Sequence, residues 1–204
     1  EILRCLVGSE MCIRDRLKGE IMQEGNIIVP QNKNAAEEVS RIYGGFEVAA
    51  HTRTHPMLTS LSPAQIVEEI VGDYLKLSEL VGYPVRGMAY PGPHPNYDRL
   101  VVDVLKKYTT VRYARTIEST YSLSFPEDYR VWKPTAHILD PRVDELIDKF
   151  SAEKSDCLLY LWGHTYEFDV SDGWERAEHV LSRLSAVKNA VCMTNMQVYE
   201  NFSV

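Results

Sequence analysis

Two histidines four residues apart, His51 and His55, follow an apolar run that ends at Ala50. Residues at positions i and i+4 share one face of a helical turn, so both imidazoles could reach one divalent cation. A third protein ligand and a water would complete a hydrolytic metal site. The spacing alone is a weak signal, because unrelated surface or core histidines are often spaced this way. The pair predicts a metal site only together with its context.

Two further strand-like runs end in residues that can do chemistry. One covers Val85–Tyr90 and leads into a Pro-rich loop, and the other covers Cys157–Trp162 and leads into Gly163 and His164. Loops that follow the carboxyl ends of parallel strands collect at one edge of a sheet or barrel. We therefore expect the three reactive strand ends to share one face of the molecule.

The elements that would position these residues alternate between helical and strand periods, which predicts an α/β fold with a parallel sheet and outer helices. The clearest helix start is Ser62 as cap, Pro63 at the first helical position and Gln65 in a capping box. An apolar stripe follows it at Ile66, Ile70, Leu77 and Leu80, and Gly82 and Pro84 end the helix. Further helices are predicted near residues 97–108, 141–150 with Asp140 as cap, and 174–187, before a last strand near 190–194.

At this point the sequence resembles a known family. Val48–Pro56 is similar to the His-Ser/Thr-x-x-His metal motif of the polysaccharide deacetylases, the NodB homology domain of carbohydrate esterase family four. Ala89–Gly92 lies where that family has Arg-x-Pro-Tyr, and Leu161–His164 where it has Leu-x-x-His. The resemblance covers roughly residues 40 to 200 in the family's order. It implies the family's distorted (β/α) barrel with fewer than eight strands, incomplete at the amino-terminal strands.

The resemblance also implies an activity: hydrolysis of the C–N amide bond of an N-acetyl or related acyl group on a carbohydrate, with an acetylated amino sugar as substrate. It implies a divalent cation, with Zn²⁺ favoured by two neutral imidazoles, bound by His51 and His55. His164 would protonate the leaving amine, supported by a nearby carboxylate. Candidates for that carboxylate are Asp140, Asp169 and Glu167.

Other predicted roles follow from the same resemblance. The backbone near Tyr90 would donate to the developing oxyanion. The family's motif arginine corresponds to Ala89, so we expect Arg115 to replace it; the alternative is that Arg115 is a surface residue in a solvated ion pair. Trp162, Tyr166 and Pro91 are the predicted substrate-binding residues. His137 could line the same cleft, whereas His94 and His179 are expected to be solvated or structural.

One motif of the family is missing from the chain. Thr-Phe-Asp-Asp-Gly should precede the histidine pair and supply the base and a metal ligand, yet no Asp-Asp pair occurs in the sequence. The segment in its place, residues 1–16, resembles translated sequencing adaptor, so we exclude it from the fold as a non-native leader. Residues 17–204 then form one partial domain, truncated at its amino terminus. The chain as printed should bind metal weakly and turn over poorly.

Composition excludes several classes of partner. A formal net charge of -7 and a pI near 5.4 disfavour nucleic acid and anionic membrane surfaces. No apolar run approaches a membrane span. A signal peptide stays open, so the compartment is unknown. Cys5 and Cys12 lie in the leader, and Cys157 and Cys192 are predicted to be buried thiols, which leaves no disulfide framework or Cys-based zinc site.

Two other functions remain open at this stage. The chain could be a metal-dependent hydrolase of a small nonsugar amide on the same scaffold, because a scaffold does not specify its substrate. It could also be a noncatalytic carbohydrate-binding relative that has lost the Asp-Asp pair. An upstream coding sequence that ends a strand in Asp-Asp-Gly would exclude the second alternative, and a native start near Leu17 would support it.

Overall fold

The computed structural model describes residues 4–7, 41, 43–170 and 172–203, and at 4–7, 165, 166 and 170 it describes the backbone alone. In chain order its elements are β1 (Arg4–Val7), α1 (Pro63–Val81), β2 (Gly87–Ala89), α2 (Arg99–Tyr108), β3 (Tyr113–Arg115), β4 (Ala136–His137), α3 (Val143–Ala152), β5 (Cys157–Leu159), β6 (Leu161–Trp162), α4 (Thr165–Val170), α5 (Gly173–Ser185), β7 (Ala190–Met193) and α6 (Asn195–Phe202). Short 3-10 turns lie at Leu58–Ser60 and Tyr129–Val131.

The strands pair in parallel, in partial sheets. β2 pairs with β3, β4 pairs with β6, and β1 lies between β5 and β7. Isolated parallel bridges join Ala50 to Met88 and Arg115 to Trp132, which adds the segments around Ala50 and Trp132 to the two sides of the β2–β3 pair. This mixed α/β arrangement, with helices between parallel strands, is the predicted fold class.

Helix α1 forms where its sequence signals place it. The side chain of Gln65 accepts a hydrogen bond from the Ser62 amide at 3.0 Å, and Gly82 ends the helix with a left-handed φ of 79°. Ile66, Ile70 and Leu77 are buried on one face, against a core that includes Met88 of β2 and Leu105 of α2. Burying each such side chain stabilises the fold by about 1.5–3 kcal/mol.

Aromatic side chains fill the space beside β3 and β5. Trp132 packs edge-on against Tyr113 with ring centroids 5.8 Å apart, and its centroid lies 4.7 Å from that of Tyr160. All three are buried, and Asn195 at the start of α6 donates to the Tyr160 hydroxyl at 3.0 Å. Tyr113 and Arg115 are two positions apart on a strand and therefore point to the same face.

Glu47 connects the two ends of the described fold. One carboxylate oxygen accepts a hydrogen bond from the Tyr113 hydroxyl at 2.7 Å, and the other accepts one from the Met196 amide at 3.0 Å. The residue that precedes the histidine-bearing segment is thereby joined to the first turn of α6, the last helix.

Several sequence expectations differ from the structure. Helix α3 begins at Val143 with Arg142 at the cap position, and Asp140 accepts a hydrogen bond from the Arg142 amide instead of capping the helix directly. Cys157 is buried as predicted, but Cys192 is exposed, so the prediction of a second buried thiol is wrong. The sequence analysis also did not predict the short strand β4 or the terminal helix α6.

Other expectations fall where little is described. The helix expected before residue 41 and most of the excluded leader lie outside the described residues. Strand β1 belongs to that leader, and its pairing with β5 and β7 does not test whether the segment is native, which stays a prediction. None of the helices in the described ranges has the length and apolarity needed to cross a bilayer.

Candidate functional site

The candidate site lies where several parallel segments end. The Ala50 segment is followed by His51, β2 by Tyr90, β3 ends at Arg115, β4 at His137, and β6 is followed by His164. Because these segments run in parallel, their carboxyl ends meet at one edge. This is the predicted location of the site.

The two histidines of the first motif face each other. The ring centroids of His51 and His55 are 4.8 Å apart, with the ring planes at 69°. Their meeting does not come from a helical turn, as the spacing suggested, because the segment is a loop in which Thr52 and His55 have positive φ values of 70° and 59°. Such values are costly for residues other than glycine, and they persist only where surrounding contacts hold them.

Helix α1 supplies those contacts through two carboxylates one turn apart. Asp73 accepts a hydrogen bond from the His51 amide at 2.7 Å. Glu69 accepts hydrogen bonds from the amide and the hydroxyl of Thr54, both at 2.6 Å. The sequence analysis did not identify either carboxylate, although acidic residues four positions apart on a helix share a face and can together bind a neighbouring loop.

The orientation of the His51 ring is also fixed. Its Nδ1 lies 2.8 Å from the carbonyl oxygen of Ala89, and since a carbonyl can only accept, Nδ1 carries the proton. The other ring nitrogen, Nε2, therefore has the lone pair that a metal ion requires. Metal-binding histidines usually bind the ion through one ring nitrogen and donate the N–H of the other to an acceptor such as a backbone carbonyl.

Electrostatics keep His51 neutral. Burial lowers the pKa of His51 from 6.5 to about 3; the hydrogen bond to Ala89 opposes this shift, and the charges of His55, Arg115 and His164 add to it. The neutral imidazole is the form that binds cations. His55, Arg115 and His164 all act on His51, so their side chains lie near its ring.

His164 forms a cluster with a carboxylate and a further histidine. Oε2 of Glu167 lies 2.8 Å from the amide of His164, 3.3 Å from its Nδ1 and 2.9 Å from Nε2 of His137. Burial disfavours the charged carboxylate, but the hydrogen bond from the His164 amide and the charges of His137 and His164 outweigh it and lower the pKa of Glu167. The Glu167 carboxylate therefore stays ionised beside both rings.

The other two carboxylates considered as partners of His164 are engaged elsewhere. Asp169 accepts a hydrogen bond from the Trp174 indole at 2.7 Å, and Asp140 forms an ion pair with Arg142 at 2.9 Å. Of the three candidates named from the sequence, the structure places Glu167 against His164.

Arg115 is buried, with 5% of its surface exposed, so it is not the solvated strand residue of the alternative reading. Its guanidinium lies over the Trp162 ring at 4.7 Å from the centroid and donates to the Thr116 carbonyl at 3.1 Å. Trp162 in turn contacts His164 edge-on at 5.6 Å. Arg115, Trp162 and His164 thus form one stack at the site edge.

The geometry does not support the roles predicted for Tyr90 and Pro91. The Tyr90 amide donates to the Arg115 carbonyl at 3.0 Å within the sheet, and its hydroxyl donates to the Arg130 carbonyl at 2.7 Å. Both donors of Tyr90 are used internally, so neither is directed at a substrate. Pro91 is buried, which leaves little surface for contact with a substrate.

Three other residues complete the comparison. The side chain of Tyr166 lies outside the described residues. His94 is exposed in its loop, 3.7 Å from Glu118, and His179 pairs with Asp144 at 2.8 Å. Neither histidine contacts the site cluster in these interactions, in agreement with the expectation that both are solvated or structural.

The residues present fit a divalent cation. Two neutral imidazoles from one anchored loop are a common part of a catalytic zinc site, which needs three protein ligands. In the part of the chain that the structure describes, the one group of three His, Cys, Asp or Glu ligand atoms within 4.8 Å is His137, His164 and Glu167. His51 and His55 therefore supply two of the three required protein ligands. This is the number expected for a sequence that lacks the family's Asp-Asp pair, which would supply the third.

Comparison with known proteins supports the resemblance. The family model described as polysaccharide deacetylase matches residues 21–112, a segment that contains both His51 and His55. This match agrees with the family resemblance drawn from the sequence, and the parallel α/β arrangement agrees with the predicted fold class. No curated protein sequence matches the chain.

Two solved structures with TM-scores above 0.5 share the fold. Puue allantoinase superposes with a TM-score of 0.61 at 15% identity, over 82% of this chain and 64% of that one. The Xyl-CE4 domain of a multidomain xylanase from the hindgut metagenome of Trinervitermes trinervoides gives 0.52 at 14% identity, over 100% and 92%. A polysaccharide deacetylase from Bacillus cereus is 27% identical over 55% of this chain, with a TM-score of 0.42, and the chain spans 31% of its length.

Proposed function

We propose that this chain is the catalytic part of a metal-dependent deacetylase that hydrolyses the C–N amide bond of an N-acetyl group on an acetylated amino sugar. The observation that carries the proposal is the convergence of His51, His55, Arg115 and His164 at the carboxyl ends of parallel strands. The family match over residues 21–112 supports the same activity.

His51 and His55 would hold the cation, with Zn²⁺ favoured by their neutral nitrogens. When bound, a divalent cation polarises an acyl carbonyl and lowers the pKa of water to about 7. The chain contributes a ring that is fixed in place: the Ala89 carbonyl fixes the tautomer of His51, and Asp73 holds its backbone.

His164 is proposed as the proton donor to the leaving amine. Glu167, ionised and 3.3 Å from Nδ1 of His164, stabilises the protonated ring, so that Nε2 can deliver a proton as the C–N bond breaks. Water adds to the acyl carbon as this bond breaks, so the products are acetate and an amine that carries the proton from His164. The proton that the water loses would go to the base of the family's first motif.

The family's motif arginine corresponds to Ala89 in this chain, and Arg115 is proposed to replace it. The Arg115 side chain is buried, and its charge acts on His51. Trp162 offers an apolar surface for the acetyl methyl group or a sugar face. The oxyanion role predicted for Tyr90 is not part of the proposal, because its amide is occupied by Arg115. The aspartate ligand and base would have to come from the family's first motif, so we expect this sequence alone to turn over slowly.

Two alternatives remain candidates. The shared fold includes an allantoinase, so the scaffold by itself does not choose between a sugar amide and a nonsugar amide. The second alternative is a noncatalytic carbohydrate-binding protein, in which the Asp-Asp pair would have been lost during evolution.

One panel of measurements tests all three. Acetate release from N-acetylglucosamine oligomers, with Zn²⁺ supplied, is expected to exceed release of product from allantoin, and His51→Gln is expected to abolish it. His164→Gln should lower kcat by about 10²-fold or more, whereas the matched control His179→Gln, at the Asp144 ion pair, should not. Preferential cleavage of allantoin would favour the nonsugar hydrolase. Binding of the oligomers without any acetate release would favour the noncatalytic reading.

A further inference from the structure

We propose that His137, His164 and Glu167 form a second cation-binding site, separate from His51 and His55, and that an ion bound there silences His164 as a proton donor. The site would take Zn²⁺ or a similar borderline-soft divalent cation. Cation binding needs these three residues alone and does not depend on metal at His51 and His55, whereas the effect on proton donation rests on the proposed role of His164.

The first argument is the arrangement of donor atoms. One ligand atom from each of the three residues lies within 4.8 Å of the others, and Oε2 of Glu167 is 2.9 Å from Nε2 of His137 and 3.3 Å from Nδ1 of His164. In a tetrahedral zinc site with bonds of 2.0–2.1 Å, neighbouring ligand atoms are about 3.3 Å apart. The two spacings that involve Glu167 are therefore close to those of a loaded site, and the two ring nitrogens, which lie within 4.8 Å, would have to approach each other for the third.

The surrounding residues hold the rings of His137 and His164 in place. Trp162 contacts both rings edge-on, with its ring centroid 4.7 Å from that of His137 and 5.6 Å from that of His164. Gly163 allows the approach, because a Cβ there would lie 2.8 Å from Cγ2 of Ile138 and 3.3 Å from Nε2 of His137. The ligands thus come from the end of β4, the loop after β6 and helix α4, held by one packed aromatic ring.

The ligand types of the cluster also suit a cation. Two imidazoles and one carboxylate give the ligand set of many zinc hydrolases. Loading requires one local change. The Leu139 amide donates to Nδ1 of His137 at 3.3 Å, and this long hydrogen bond must be released so that the ring proton can move to Nδ1 while Nε2 binds the ion.

Occupancy has a chemical consequence for His164. An imidazole bound to a cation stays neutral and cannot accept the extra proton that a general acid must carry. Excess metal ion would therefore oppose the proton-donating role, while metal at His51 and His55 would support the reaction. The structure predicts opposite effects of the same ion at two neighbouring places.

The test isolates the second site. In protein carrying His51→Gln and His55→Gln, titration of Zn²⁺ against a chromophoric chelator should still give one bound ion per chain. Adding His137→Gln should weaken that binding by about tenfold or more. His179→Gln, the same substitution at the Asp144 ion pair, is the matched control and should leave the affinity within about twofold.

Near-ultraviolet circular dichroism would verify that each variant keeps its aromatic packing. If the double variant loses it, Co²⁺ absorption in the otherwise unchanged chain replaces the titration, and His137→Gln should then remove one ion. A folded double variant that binds no zinc would overturn the proposal, as would an unchanged affinity after His137→Gln. If His137→Gln in the otherwise unchanged chain abolishes all binding, this proposal stands and the metal role of His51 and His55 fails.

Discussion

The carboxylate of Asp73 binds the amide of His51 across 2.7 Å, although the two residues are 22 positions apart in the chain. This hydrogen bond joins the start of the loop that contains His51 and His55 to the middle of α1. It lies one residue before Thr52, a buried residue held at a φ of 70°. The strained backbone of the loop is therefore supported by a side chain of α1.

Replacing this carboxylate should weaken the metal site more than the fold. We expect Asp73→Ala to lower Zn²⁺ affinity at His51 and His55 by about tenfold, as loss of an outer hydrogen-bond partner does in other metal sites. Isothermal titration in the His137→Gln background would measure it. Glu79→Ala, on the same helix but exposed and paired with Lys76, is the control. Equal affinities in the two variants would show that the Asp73 contact has no positioning role.

Arg115 should have opposite effects on metal binding and on catalysis. Its positive charge acts on His51 and so also repels a bound cation. We expect Arg115→Met to raise Zn²⁺ affinity several-fold and to lower the rate of deacetylation. Arg115→Lys keeps the charge and should leave the affinity near its original value. A parallel fall of affinity and activity in Arg115→Met would indicate general disruption of the site.

Two glycine substitutions should change stability in opposite directions. A Cβ at Gly87 would collide with the buried phenol of Tyr113, so we expect Gly87→Ala to destabilise the protein by about 2 kcal/mol or more. Gly72 lies inside α1, where a Cβ would be 3.5 Å from Cδ of Arg53, an ordinary contact. Gly72→Ala should therefore stabilise the helix by about 1 kcal/mol. Urea unfolding at pH 7 would measure both changes, and the same sign for both would contradict this packing.

The ion pairs of Asp144 should make the free energy of unfolding depend on pH. Arg176, Arg183 and His179 bind its carboxylate and lower its pKa below the usual 3.8. A carboxylate with a lowered native pKa stabilises the fold fully above its unfolded value and loses that contribution as the pH falls toward the native value. Asp144→Asn should cost about 1 kcal/mol at pH 7, discounted for partial exposure, and progressively less below pH 4.

Urea midpoints at pH 7, 5 and 3 would measure this dependence. Asp148→Asn is the matched control, because that carboxylate is 71% exposed and pairs with Arg183. A cost for Asp144→Asn that is as large at pH 3 as at pH 7 would exclude the ion pairs as its source.

Local signals in the sequence predicted the helices well. Ser62, Pro63 and Gln65 specify the start of α1, and its apolar stripe specifies the buried face. The last helix also had a signal that was overlooked. Thr194 and Gln197 form a capping box, with the Thr194 amide donating to Gln197 at 2.8 Å. Strand β4 has two residues, too few to show a period of two.

The site was predictable to the extent that its residues follow strand ends. His51, His55 and His164 were predicted as site residues because histidines that follow strand ends in an α/β pattern converge on one edge. The roles of Asp73 and Glu69 could not be predicted from the sequence, because no local motif marks a helix carboxylate that binds the amide of a distant loop. The occupied amide of Tyr90 was also hidden, since it depends on which strand lies beside β2.

The Glu47 bridge has a consequence for folding kinetics. Its partner Met196 is 149 positions further along the chain. Contacts of such long sequence separation are slow to form, because the intervening chain must be ordered first. We therefore expect the segment leading into His51 to gain this anchor late in folding, and a substitution that weakens α6 to be felt at a segment far away in the sequence.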